Sequence, residues 1–202
     1  MKNDIALKRG RYIGKVNSLL QEFHFAGTDV LLKLLNTYTT SFYGSQLWDI
    51  YSNNCEKLYK SWNVSMRNIL GIDRRSHRYL LEDLTGQVHP KVMLASRLVG
   101  FYNTQLDSKK FKMRFLVRLA ASDMRTVLGR TLDKISVECN CSLKFLTKNL
   151  VKKRLKYATV SSDETWRTQL VKELYSARKD DHLIPGFSLD EINSMLNYIC
   201  VS

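Results

Sequence analysis

Apolar residues recur at three- and four-residue intervals along almost the whole sequence, and sustained alternation of apolar and polar residues is nearly absent. That periodicity belongs to helices that each bury one face, and it leaves little for a sheet to be built from. Ile13, Val16, Leu20 and Phe23 share one helical face, with Arg11, Lys15, Ser18 and Glu22 opposite. Cys55, Leu58, Tyr59, Trp62, Met66, Ile69 and Leu70 form a second stripe, closed by Gly71. No Asn-Gly or Asp-Gly hairpin signal occurs. The expected fold class is all-α, a bundle of about eight or nine helices.

The helix boundaries follow from capping chemistry. Thr28 reads as an N-cap with Asp29 in the first turn. A long apolar helix is then expected from Val30 to about Tyr51. Asn53 followed by Glu56 resembles a capping box. "SHRYLLEDLTG" reads as a short helix ended by Gly86, and Pro90 suits the first position of the next. "KKFKMRFLVRLAA", "DMRTVLGRTLDKISVE" and the span from Ser142 to Tyr157 predict three more. "SSDE" and "SLDE" open two final helices, to Arg178 and to about Cys200. The expected division is a bundle over residues 1–71 and a helical extension over 72–202. "GIDRRSHR" is one seam, and the Pro-Gly turn of "RKDDHLIPGF" is another.

"SFYGSQLWD" sits inside the expected Val30–Tyr51 helix. Glycine within a helix costs about 1 kcal/mol against alanine, so Gly44 needs a reason. Close approach of a neighbouring helix is the main expectation, with Trp48 and Trp62 filling the space beside it. A kink is the other.

Charge narrows the function classes. With 32 Lys+Arg against 19 Asp+Glu, the net charge is +13, which favours polyanionic partners. "KKFKMRFLVR" holds five cations and no acid. "SLKFLTKNLVKKRLKYA" holds Lys144, Lys148, Lys152, Lys153, Arg154 and Lys156, also with no acid. Lys144, Lys148, Lys152 and Lys156 step by four and would form an arc on one helix. Such an arc is self-repelling, so it is either neutralised by a polyanion or kept as a solvated face. Among the interleaved aromatics, Tyr12, Phe111, Phe115, Phe145 and Tyr157, helical spacing favours a core role over stacking on bases.

Catalytic and metal chemistry find no motif. His24, His77, His89 and His182 lack partners at ligand spacing, and Cys55, Cys139, Cys141 and Cys200 do not form a zinc pattern. No nucleophile elbow, Walker A loop or glycine-rich dinucleotide loop is present. Asp180-Asp181 lacks the flanking strands that a two-metal site requires. No cofactor and no metal are expected. The charged N-terminus "MKNDIALKRGRYIGKV" lacks a signal-peptide core, and no apolar run reaches the ~20 residues of a membrane span. Reduced thiols in an intracellular setting are expected, nucleus and cytoplasm being left open.

The stretch "LLNTYTTSFYGSQLWDI…NCEKLYKSWNVSMRNILGIDRRSHRYLLEDLTG" resembles the region after the polymerase palm in reverse transcriptases of non-LTR (LINE-type) retrotransposons. The matching positions are Tyr43-Gly44, Leu47-Trp48, Trp62-Asn63, Arg67 to Gly71 and Ser76-His77-Arg78. "SRLVGFYNTQLDS", "SDMRTVLGRTLDKI" and "EINSMLNYICVS" also look like that region. The resemblance implies a thumb subdomain and a helical C-terminal segment that grip a template–primer duplex. It places the catalytic palm, with its paired aspartates, before Met1 in a missing upstream polymerase domain, so the chain is expected not to be an enzyme on its own. The expected role is binding of RNA or DNA through phosphates, by Arg9, Arg11 and Lys15 and by Lys144, Lys148, Lys152, Lys153 and Lys156. The alternative is a helical protein-interaction scaffold with no nucleic-acid role. A third reading is a basic helix on a membrane surface, with Val151 and Leu155 at its apolar edge.

Overall fold

A computed structural model describes residues 2–39, 41–155, 169, 171, 172, 174 and 189–201. Among them the protein is all-helical: nine α-helices, two short 3-10 turns and no strand. The helices are α1 (Lys2–Glu22), α2 (Thr28–Thr39), α3 (Asn53–Leu70), α4 (Tyr79–Thr85), α5 (Pro90–Leu106), α6 (Phe111–Ser122), α7 (Val127–Glu138), α8 (Lys148–Arg154) and α9 (Leu189–Val201).

α3 is the central element. Its stripe from Cys55 to Leu70 is buried as expected, and α1, α2, α4 and α5 all pack on it. α1 presents Ile5, Tyr12, Val16 and Leu19 to that core. Phe23, expected on the same face, stays exposed, because the helix ends at Glu22 and the chain turns away. One apolar cluster runs from Ile5 to Leu155, through α1 to α3 and on through α5, α7 and α8, across residue 71 without a break. A second, smaller cluster joins Tyr79 and Leu80 of α4 to Val171, Leu174 and, on α9, Ile192 and Leu196.

Helix ends follow local chemistry, with shifts from the sequence expectation. Thr28 is the first residue of α2 and not its flank. Ser52, one residue before the expected Asn53, caps α3 by accepting the Cys55 N–H at 3.4 Å. Gly71 ends α3 in the left-handed conformation, its N–H returning to the Arg67 and Asn68 carbonyls. Gly86 ends α4 the same way, and Pro90 opens α5. The seam at residues 72–78 is held by Arg67, whose Nε and Nη2 both donate to the Ser76 carbonyl.

The expected Val30–Tyr51 helix is cut in two. α2 stops at Thr39, and Ser45–Leu47 is a single 3-10 turn preceded by Gly44 at φ +81°. The turn lets both Phe42 and Trp48 point into the core, their ring centroids 6.0 Å apart. Trp48 Nε1 donates to Asp4 Oδ2 at 2.8 Å, and Tyr59 donates its hydroxyl to the Ile50 carbonyl at 2.8 Å. A side chain at Gly44 would meet nothing within 4 Å. Neither close helix packing nor a kink explains this glycine; a left-handed turn does.

The expected Ser142–Tyr157 helix is also divided. Leu143–Phe145 is a 3-10 turn, Leu146 and Thr147 are extended, and α8 begins at Lys148 with Thr147 as its cap. The exposed backbone of the break is satisfied: Asn103 Nδ2 donates to the Leu146 carbonyl at 3.0 Å. Arg154 Nη1 donates to the Cys139 and Asn140 carbonyls, fastening α8 to the end of α7. Val151 and Leu155 are buried in the main core. They therefore offer no apolar edge to a membrane, which removes that reading for this segment. The two expected acid-capped helices fare differently. α9 is present over Leu189–Val201, whereas the Ser188 cap and the "SSDE" start lie outside the described residues. No helix among the described residues is long and apolar enough to cross a membrane.

Candidate nucleic-acid interface

The break before α8 decides where the lysines go. Lys144 sits on the 3-10 turn, its ammonium 5.7 Å from the Phe145 ring centroid. Lys148 and Lys152 fall one turn apart on α8. Lys156 lies outside the described residues. The single four-step arc is therefore not formed: Lys144 is separated from Lys148 by two extended residues.

What the fold does assemble is a groove of about 410 Å³ bordered by α2, α3, α5, α8 and the 86–88 loop. Buried Trp62 and Leu35 line it. Lys148, Lys152 and Arg97 also line it, with Asn36, Gln87 and Ser96 as polar neighbours. Among the described residues no carboxylate lines it. Lys148 reaches this position by laying its aliphatic stem across Gly100 of α5; a Cβ there would come within 2.7 Å of the Lys148 Cδ. The missing side chain at residue 100 thus leaves room for the Lys148 stem along α5.

Arg97 was not among the residues the sequence pointed to. Its Nη1 donates to the Phe42 carbonyl at 3.4 Å, and burial lowers its pKa. A guanidinium stays protonated through such a shift, so it contributes a fixed charge. The readable signal was its place: a lone cation amid buried Ser96, Leu98 and Val99. Two ammonium groups and a planar guanidinium around an acid-free groove can hold an anion and fix its orientation. They lack a general base or a metal cluster; no group of three potential ligands occurs among the described residues.

Lys153 faces a different setting. It lines an adjoining groove of about 290 Å³ that shares Lys152 and the 86–88 loop but contains Glu82 and Asp83. Its charge is opposed locally, and it does not extend the acid-free groove.

At the other end of the bundle, Arg9, Arg11 and Lys15 are not brought together. Arg9 Nε donates to Ser61 Oγ at 2.9 Å and borders a groove of about 340 Å³ between α1 and α3. Lys57 and Lys60 of α3 join it there, again with no acid among the described lining residues. Lys15 turns to the opposite side, donating to the Tyr38 carbonyl at 2.9 Å. There α1 and α2 enclose a more apolar groove of about 560 Å³ with Leu19, Phe23, Leu34 and Tyr38. Arg11 is exposed. The cause is helical geometry: Arg11 and Lys15, four residues apart, share one side of α1, and Arg9 projects from the other.

Aromatics depart from expectation too. Tyr12 is core, but Phe111, Phe115 and Phe145 are exposed, and Tyr157 lies outside the described residues. Asp180-Asp181 is also outside them. Cys55 and Cys139 are buried, and burial raises both thiol pKa values, Cys55 to about 11. Neither is a poised nucleophile. No protein-family model, no curated protein and no solved structure matches this chain.

Proposed function

We propose that the chain is a non-catalytic nucleic-acid-binding unit, the thumb and C-terminal part of a non-LTR retrotransposon reverse transcriptase, which holds a duplex by its phosphates. The observation that carries this is the convergence of Lys148, Lys152 and Arg97 on one groove that no described carboxylate lines. Such a groove accepts phosphate oxygens and carries no base readout. The Arg9, Lys57 and Lys60 groove supplies a second contact of the same chemistry. RNA-directed DNA synthesis is assigned to an upstream polymerase partner and not to these residues.

A salt titration tests the reading. Binding to an RNA–DNA hybrid should weaken with a log–log slope of about 0.9 for each phosphate neutralised. The Lys148→Gln/Lys152→Gln double variant should flatten that slope by about 2. An unchanged slope in the variant overturns the assignment. Absence of binding at low salt leaves the scaffold reading. That reading is favoured by the apolar α1–α2 groove with its exposed Tyr38.

A further inference from the structure

α6 packs on the bundle by one narrow face only. Val117 and Ala121 are its buried residues. On the opposite side Phe111, Phe115 and Leu119 follow at i, i+4 and i+8, with Leu116 beside them. They are 70%, 55%, 56% and 56% exposed. Scattered exposed apolar residues need no account, but a continuous ridge of four on one helix does. The ridge is bordered by cations: Lys109 and Lys110 lead into the helix, and Lys112, Arg114 and Arg118 lie along it. None of the five makes an ion pair among the described residues.

We infer that this ridge inserts into the surface of an anionic lipid bilayer. An apolar face of aromatic and leucine side chains edged by lysine and arginine is the pattern of an interfacial helix. The acyl boundary takes up the ridge and acidic headgroups take up the charges. Composition and charge favour lipid over other occupants. Half of the ridge, Leu116 and Leu119, is aliphatic and offers bases nothing to stack on, whereas an acyl boundary takes up rings and leucines alike. A second copy of the chain would set one cation border against another. The inference is independent of the phosphate groove, which uses residues of α2, α3, α5 and α8.

The test uses the full chain and vesicles of phosphatidylcholine with and without phosphatidylserine. Wild type should float with the anionic vesicles and not with the neutral ones. Phe115→Ser/Leu119→Ser should weaken that binding roughly tenfold or more, as expected for withdrawing two large apolar groups from lipid. These side chains are exposed, so thermal unfolding should be unchanged. The emission that Phe115→Trp adds over wild type, whose own indoles are Trp48, Trp62 and Trp166, should shift to the blue on anionic vesicles and be quenched by brominated acyl chains. Flotation that survives Phe115→Ser/Leu119→Ser, or an indole that brominated lipid does not quench, overturns insertion. So does a sedimentation dimer, or single-stranded RNA binding, that this double variant abolishes while wild type ignores vesicles.

Discussion

Gly44 holds a φ of +81° with open space where a side chain would stand. The backbone alone therefore sets what can replace it. An L-residue in the left-handed region costs about 1–2 kcal/mol, asparagine less than most and β-branched residues more. Gly44→Asn should be close to neutral, whereas Gly44→Val should lower stability by about 2 kcal/mol or more. Asparagine and valine have similar size, so a packing constraint would penalise both alike. Urea midpoints of the two variants separate the explanations, and equal loss in both would contradict the turn. The sequence reading offered close packing or a kink for this residue, and the structure holds neither. What the sequence did not show is that Phe42 and Trp48, six residues apart, must both reach the core, which a continuous helix would not have allowed so close to α1 and α5.

At the scale of an element, α5 depends on an unusual cap. His89 is buried, its Nδ1 accepts the Lys91 N–H at 3.1 Å, and its ring meets Tyr59 and Trp62 edge-on at 5.3 and 4.9 Å. Burial, with the Lys91 and Arg78 charges, pushes its pKa from 6.5 down to about 2. In the unfolded chain the imidazole takes its proton near pH 6.5; in the folded chain it stays neutral until about pH 2. The unfolded state thus binds more protons throughout that window, and stability falls as pH falls. The slope from this group approaches about 1.4 kcal/mol per pH unit below 6.5. His89→Asn keeps a side-chain acceptor for the cap and removes the titration. Its absolute stability should drop with the lost ring contacts, but its stability should change less between pH 7 and 5 than that of wild type. Denaturation midpoints at both pH values check this, and identical pH slopes would exclude His89 as the cause. Asp73 and Asp123, whose pKa values are lowered chiefly by hydrogen bonds from Arg75 and Arg125, lose their protons at still lower pH and act outside this interval.

The same scale shows which elements could be read in advance. α3, α4 and α5 were legible from the apolar stripe and the boundary residues: Leu58 to Leu70 with Gly71, Gly86 after α4, and Pro90 at the start of α5. α8 was not, since the lysine spacing from 144 to 156 mimics a helix while the Thr147 cap and the Asn103 bond to Leu146 impose a break. For the same reason Lys148 and Lys152 are the described members of the expected set that meet in the groove beside Arg97, while Lys153 turns to the neighbouring groove with Glu82 and Asp83. Arg97 and the contribution of Gly100 depend on contacts between α5 and α8, elements more than forty residues apart in sequence. No spacing within either segment encodes that meeting.

For the whole molecule, α4 is the joint between two apolar clusters. Leu81 is buried in the main core, and its neighbour Leu80 is buried in the cluster that holds α9. Adjacent residues on a helix point in different directions, so this seven-residue element serves both bodies of side chains at once. Truncating either leucine removes a fully buried side chain, a loss of about 2–5 kcal/mol to the cluster concerned. The main cluster contains α3 and α5 and sets global unfolding; the other has six buried members among the described residues and should open on its own at lower free energy. Leu80→Ala is therefore expected to speed amide exchange in α9 by about a hundredfold or more while leaving the protected amides of α3 near their wild-type rates. Leu81→Ala should instead lower the main unfolding transition and raise exchange throughout α3 and α5. Mass-spectrometric hydrogen exchange on both variants distinguishes them. If Leu80→Ala accelerates α3 and α9 equally, the two clusters unfold as one unit, and α4 transmits stability between them rather than dividing it.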